Sequence, residues 1–243
     1  MTEVPALRAA IAGLISFAAG QEQVVLAAAP QTEPGDPSCW AALPLIAHNT
    51  EFRRQQVQRL RAIRSGQAPP EFAEVDHRSP ELYAELSAQP ADAVGRDSWR
   101  VSGELIEELA SVSQADLLEP SRNPWLRGRQ LWLQMIVRGF WHPAGHLGDY
   151  YLKHGQAARA ITLAKEAVAT AAVLGAPDPA RGMASYNLAC AQAGADLLDE
   201  AAATVAEAIA LNPDVRANAA RDADLAPVRE RGLLTALLDS QAS

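Results

Sequence analysis

"FWHPAGHLGDYYLKHG", residues 140–155, decides how this chain is read. His142 and His146 stand four apart, so on a helix they share one face across a single turn, which is the spacing of two metal ligands. From Leu147 onward the same letters, L-G-x-x-Y, open a helical repeat whose small residues let a neighbouring helix approach. The stretch closes one helical unit and begins another.

The chain has 243 residues, 49% of them hydrophobic, enough for one large domain or two small ones with their own cores. Alanine runs dominate and aromatic residues make up only 5%. No sustained stretch alternates Val, Ile or Thr with polar residues as a half-buried strand does, so the fold class is all-α. A formal net charge of -8 sets the mean field against polyphosphate and excludes nonspecific nucleic-acid binding. The first apolar segment, "ALRAAIAGLISFAAG", follows Glu3 with no basic cluster and runs into "QEQ", so it lacks a cleavable-signal pattern. No run reaches the roughly 18–20 uninterrupted apolar residues of a membrane span. With no such run no membrane partner is expected, and Cys39 and Cys190 are too far apart in the chain to suggest a disulfide framework, which points to a reducing cytoplasm.

A first helix spans residues 4–28 and is ended by the prolines of "PQTEPGDPS". A second runs from about Trp40 to Ser65, with Pro44 in its first turn, where the missing amide hydrogen costs little. Arg53, Arg54, Arg59, Arg61 and Arg64 crowd its later half and read as the solvated face of an amphipathic helix whose last turns favour cations. A third helix begins beyond "HRSPELYAELSAQP", with Ser98 as its cap, and "SQADLLEPSRNP" is a loop. A fourth starts near Trp125 and continues through "GHLGDYYLKH", bent at Pro143, which lacks an amide hydrogen and crowds the carbonyl four residues earlier. Four long helices with these loops make an antiparallel bundle, whose interior is where ligands from facing helices meet.

Beyond Gly155 the composition shifts to alanine-rich helical pairs. "YNLACAQAGADLLDEAAATVAEAIALNP" places Leu188, Ala189, Ala201, Val205, Ala208 and Pro213 at spacings that resemble a tetratricopeptide (TPR) repeat. Leu147, Gly148, Tyr151, Gly155, Ala160, Ala164 and Ala167 fall on the same template upstream. The offset from Leu147 to Leu188 is 41 residues, against about 34 in such repeats. "VLGAPDPARG" reads as the insertion that makes up the excess. "DVRANAARDADLAPVRERGLLTALL" resembles the capping helices of a repeat array. A short array needs a neighbour for its open apolar face, so the fourth bundle helix is shared with the first repeat. The division is a bundle over 1–153 and a repeat region over 154–243.

Of the five histidines, His48 sits in "WAALPLIAHNTEF", behind apolar residues that put it near the bundle interior. Trp40, His48, His142, His146 and Gly148, in that order, resemble the DinB/YfiT-like metal-binding four-helix bundles. Those carry a tryptophan at the start of helix two, a histidine later in it, and H-x-x-x-H with a following small residue in helix four. The likeness covers residues 1–153. It implies that His48, His142 and His146 bind one divalent ion, zinc or nickel, leaving positions open to water or substrate. Three imidazoles and an open position resemble a catalytic centre more than a closed structural one, and such a centre brings the pKa of bound water to roughly 7. The rival reading is three core-filling histidines without metal.

Glu51 follows His48 by three residues and Asp149 follows His146 by three, so each can orient an imidazole through a hydrogen bond; the rival reading is a surface carboxylate on an acidic protein. His77, in a charged loop, and His154, at a helix end, read as surface residues and not ligands. Cys39, beside Trp40, reads as an inert thiol and Cys190 as packing inside the repeat. No G-x-S-x-G, phosphate loop or dinucleotide fingerprint occurs.

The resemblance implies a cytoplasmic metal-dependent hydrolase or thiol transferase acting on a small molecule, with no individual catalytic residue assigned. The repeat region would take a protein partner, and a bundle helix face would support a homodimer. The alternative is a noncatalytic adaptor whose repeat surface binds a peptide or a second subunit, with the bundle as its cap and any metal structural. The first reading requires three rings from distant positions to converge. Ring nitrogens more than about 7 Å from any shared centre, when ligand bonds are near 2 Å, would leave only a helical scaffold.

Overall fold

A computed structural model describes residues 4–29, 35, 40–73 and 79–239. Regular structure among these residues is helical, with no strand, as the composition led one to expect. The chain forms two compact units, Thr2–Tyr150 and Tyr151–Ser243, divided within a helix.

The first unit contains α1 (Val4–Ala28), α2 (Ala42–Arg64), α3 (Pro80–Ser87), α4 (Ala91–Ser111), α5 (Gln114–Leu118) and α6 (Leu131–Ile136). A π-helical turn, Val137–Trp141, joins α6 to α7 (His142–Lys153). Helix α2 closes at Ser65, and Gly66 follows at φ +68°, a left-handed conformation that glycine adopts without a Cβ clash. Helices α2 and α4 pack together, while α1 lies against α4 and the π turn. Ile11, Ile15, Leu60, Leu105, Met135 and Phe140 are fully buried there. Each contributes about 1.5–3 kcal/mol relative to an exposed side chain.

Several boundaries differ from the sequence reading. The segment expected to precede the third helix is itself helical: the Ser79 hydroxyl accepts the Leu82 N–H at 3.2 Å and Pro80 supplies the first helical position. Helix α4 begins at Ala91, so Ser98 is not a cap but a buried residue two turns inside it. "SQADLLEPSRNP" is not all loop, because Ser113 accepts the Asp116 N–H at 3.0 Å and caps α5. Trp125 lies in a 3-10 turn, Pro124–Leu126, and regular helix resumes only at Leu131.

The arginine-rich half of α2 is a solvated face only in part: Arg61 and Arg64 are exposed, Arg54 and Arg59 half-buried, and Arg53 enclosed. Arg53 is 0% exposed and so is its partner Glu22 of α1. Arg53 donates through Nη1 to Glu22 Oε2 at 2.7 Å and through Nη2 to Oε1 at 2.9 Å. Asn49 Nδ2 donates to Oε1 at 3.0 Å and the Ser98 hydroxyl to Oε2 at 2.7 Å. A buried charge pair is tolerable only with its lone pairs satisfied, and here four donors from two helices close on one carboxylate. Arg54 pairs with Asp97, Arg61 with Glu104 and Glu108, and Arg64 with Glu108, forming an ionic seam between α2 and α4.

By length and composition α1 could cross a membrane, which counting uninterrupted apolar residues did not reveal. In this unit its Ile11, Ile15, Ala19 and Val25 are buried and its Glu22 is ion-paired.

The second unit continues from the end of α7 into α8 (Ala157–Val173), α9 (Asp178–Gly194) and α10 (Leu198–Leu211), then α11 (Val215–Ala219), α12 (Ala226–Glu230) and α13 (Thr235–Asp239). Residues 195–197 join α9 to α10, and the two pack along their lengths as a helical hairpin, with α8 on α9. Ala189, Ala201 and Ala208 are fully buried, so small side chains set the interhelical distance. "VLGAPDPARG" supplies the last residue of α8, the link 174–177 and the first turn of α9. A Cβ on Gly182 would stand 2.6 Å from Asn212 Cβ and 2.8 Å from the Ala208 carbonyl oxygen. The short helices after Pro213 bury Val215, Ala219, Leu225, Val228 and Leu234 against this hairpin.

Candidate metal centre

His48 projects from the second turn of α2 and is 2% exposed. His142 opens α7 and His146 lies one turn further on, both half-buried. The approach to His142 is set by Pro143. A regular helix would press the Gly139 carbonyl against the proline ring and leave it without a donor. Instead the register widens just upstream: the His142 N–H donates to the Val137 carbonyl, five residues back. Such π turns are rare and concentrate at functional sites. Gly139, inside the turn, admits Ile15 of α1, whose Cγ1 would lie 2.7 Å from an added Cβ.

The three imidazoles converge. One ligand nitrogen from each of His48, His142 and His146 lies within 4.8 Å of the other two. Nε2 of His142 is 3.2 Å from Nε2 of His48. Two nitrogens bound at about 2.05 Å with tetrahedral angles stand about 3.3 Å apart, so this contact is the length of one edge of a coordination polyhedron. The ring planes of His142 and His146 cross at 88° and those of His48 and His146 at 86°. At these angles the rings do not stack past one another. Three neutral nitrogen donors suit a divalent ion such as zinc or nickel, so the residues present fit the group the sequence suggests.

Aromatic side chains enclose the rings. Trp40 stacks on His146, with 11° between planes and 6.5 Å between centroids, and meets His48 edge-on at 5.0 Å. Tyr83 of α3 packs on Trp40 at 5.9 Å. Phe52 lies 4.7 Å from the His48 ring and 4.5 Å from the His142 ring. The one signal for Phe52 in the sequence is its place four after His48, which sets it on the same face.

The two carboxylates suggested as orienting partners are both exposed. Glu51 faces Arg54 at 3.4 Å, because three residues on from His48 is about 60° off its direction and brings the side chain to the rim. His154 is exposed beyond the end of α7, and Cys39 and His77 lie outside the described residues. Cys190 is half-buried in α9. It lies within 4.8 Å of Asp222 and Asp224, but that grouping is explained by turn structure. Asp222 accepts the Tyr186 hydroxyl through Oδ2 at 2.6 Å and the Asp224 N–H through Oδ1 at 3.1 Å.

Scans against protein-family models, curated proteins and solved structures each find no match to this chain.

Proposed function

We propose that this chain is a divalent metal-binding protein of the DinB/YfiT-like kind, acting on a small molecule as a metal-dependent hydrolase or thiol transferase. The observation that carries the proposal is the convergence of three imidazole nitrogens, from α2 and α7, within 4.8 Å of one another. A zinc or nickel ion held by three nitrogens keeps positions open, where it polarises a substrate or lowers the pKa of water. The residues' own contribution is positional. Trp40 and Phe52 fix the ring planes and keep bulk water from their faces, and the π turn aims His142 at His48. In this reading the hairpin of α9 and α10 belongs to a tetratricopeptide-like module that takes a protein partner.

The test is metal analysis of untagged protein beside a His142→Ala/His146→Ala variant. One equivalent of zinc or nickel in the wild type, absent from a variant of unchanged helicity, supports the open site. No metal in either protein leaves the adaptor reading in its place. A metal whose removal unfolds the first unit assigns a structural role instead.

A further inference from the structure

Four of the five arginines of α2's later half have carboxylate partners; among the described residues Arg59 has none. Its guanidinium lies between two aromatic faces, 4.8 Å from the Phe72 ring and 4.9 Å from the Trp125 ring. Its Nε donates to the Pro70 carbonyl in a long hydrogen bond of 3.4 Å. Arg138, in the π turn, lies 4.7 Å over the face of Phe52, the ring that itself packs on His48 and His142. Among the described residues neither Arg59, Arg138 nor the neighbouring Arg129 forms an ion pair, in a chain with 29 acidic residues. Burial, then their mutual repulsion, lowers the pKa of Arg59; burial, then Arg129, lowers that of Arg138. The indole N–H of Trp125 is buried with no acceptor among the described residues.

Half-buried cations brought together without a counter-ion cost stability. Stacking on aromatic faces fixes a guanidinium plane while leaving the edge donors available for a planar or tetrahedral oxyanion. We infer that Arg59 and Arg138 form a binding site for a small oxyanion, a carboxylate or a phosphate group, one aromatic ring away from the histidine triad. Resting on the small-molecule reading above, this makes the substrate an anion: its charged end is held by the arginines while the rest extends past Phe52 toward the metal ligands.

The test is equilibrium binding of inorganic phosphate and, separately, of acetate to the full-length protein by calorimetry. Saturable binding of either probe is expected, weakened by about tenfold or more in Arg59→Met and Arg138→Met. It should be unchanged in Arg231→Met, an exposed arginine of the other unit, and in His142→Ala. Phosphate binding without acetate assigns a phosphate group; the converse assigns a carboxylate. Arg138→Lys, which keeps the stem and the charge but loses the planar fork, replaces the methionine variant should that not fold, and also binds more weakly. No saturable binding, equal weakening in Arg231→Met, or loss in His142→Ala alone overturns the proposal. Arginine-dependent binding in a protein that holds no metal keeps the anion site and removes the metal reading, so the two fail separately.

Discussion

Nε2 of His142 lies 3.2 Å from Nε2 of His48 across 94 residues of sequence, and Trp40 packs on the ring that completes the triad. A paramagnetic ion bound there sits close to that indole. Nickel added to the protein should quench emission from one of five tryptophans and saturate at one equivalent. Trp40→Phe should remove most of the effect and His48→Ala all of it. Quenching that never saturates, or that survives Trp40→Phe, places the ion elsewhere.

The Glu22–Arg53 pair is fully enclosed, so removing one member leaves the other charged in the interior. Glu22→Ala should destabilise the first unit by about 3–5 kcal/mol in urea unfolding. Glu22→Leu combined with Arg53→Met should recover most of that loss, because neither charge remains to be desolvated. A single Glu22→Ala change costing under about 1 kcal/mol would contradict the enclosure described.

Gly182 faces backbone: an added Cβ stands 2.9 Å from the Asn212 amide nitrogen as well as 2.8 Å from the Ala208 carbonyl oxygen. Neither atom can rotate away, so α9 and α10 must separate. Gly182→Ala should cost about 1–3 kcal/mol despite alanine's better helix propensity. Gly13, whose added Cβ meets nothing, is the control, and alanine there should be neutral or stabilising. Equal behaviour of the two variants in thermal unfolding would show that the hairpin is not closely packed at this point.

Burial, with a hydrogen bond donated to Asp222, raises the pKa of the Tyr186 hydroxyl above its ordinary value. A pKa higher in the folded state than in the unfolded one favours folding below the unfolded value, near about 10. That contribution is fully present there and is lost as pH rises toward and through the folded value. Phenolate absorbance should therefore show Tyr186 ionising later than an exposed tyrosine, and Tyr186→Phe should remove that late step. An early, fully reversible titration of all four tyrosines in folded protein would rule this out.

The letters of the chain made α1, α2 and the histidine triad legible for different reasons. Helix bounds follow from apolar runs ended by prolines or glycine, and the triad from spacing on two helices. Arg53 was misread because its partner Glu22 lies 31 residues away on another helix, and periodicity within α2 cannot show which charge is enclosed. Helix α3 was missed although Ser79 and Pro80, a cap and a first helical residue, mark its start, because eight residues are too few for a helical period to stand out. The π turn has no letter signature beyond Pro143, since the local pattern stays helical while the hydrogen-bond register changes. The Arg59 and Arg138 arrangement depends on which aromatic faces they meet, and that is set by tertiary packing alone.

Val137–Trp141 accommodates one more residue than an unbroken helix of that length would hold. The same residues wound as unbroken α-helix would turn everything downstream by about 100°, and the two imidazoles of α7 would face away from α2. The segment thus trades helical regularity for aim, and a straighter helix of the same letters would have nowhere to hold an ion.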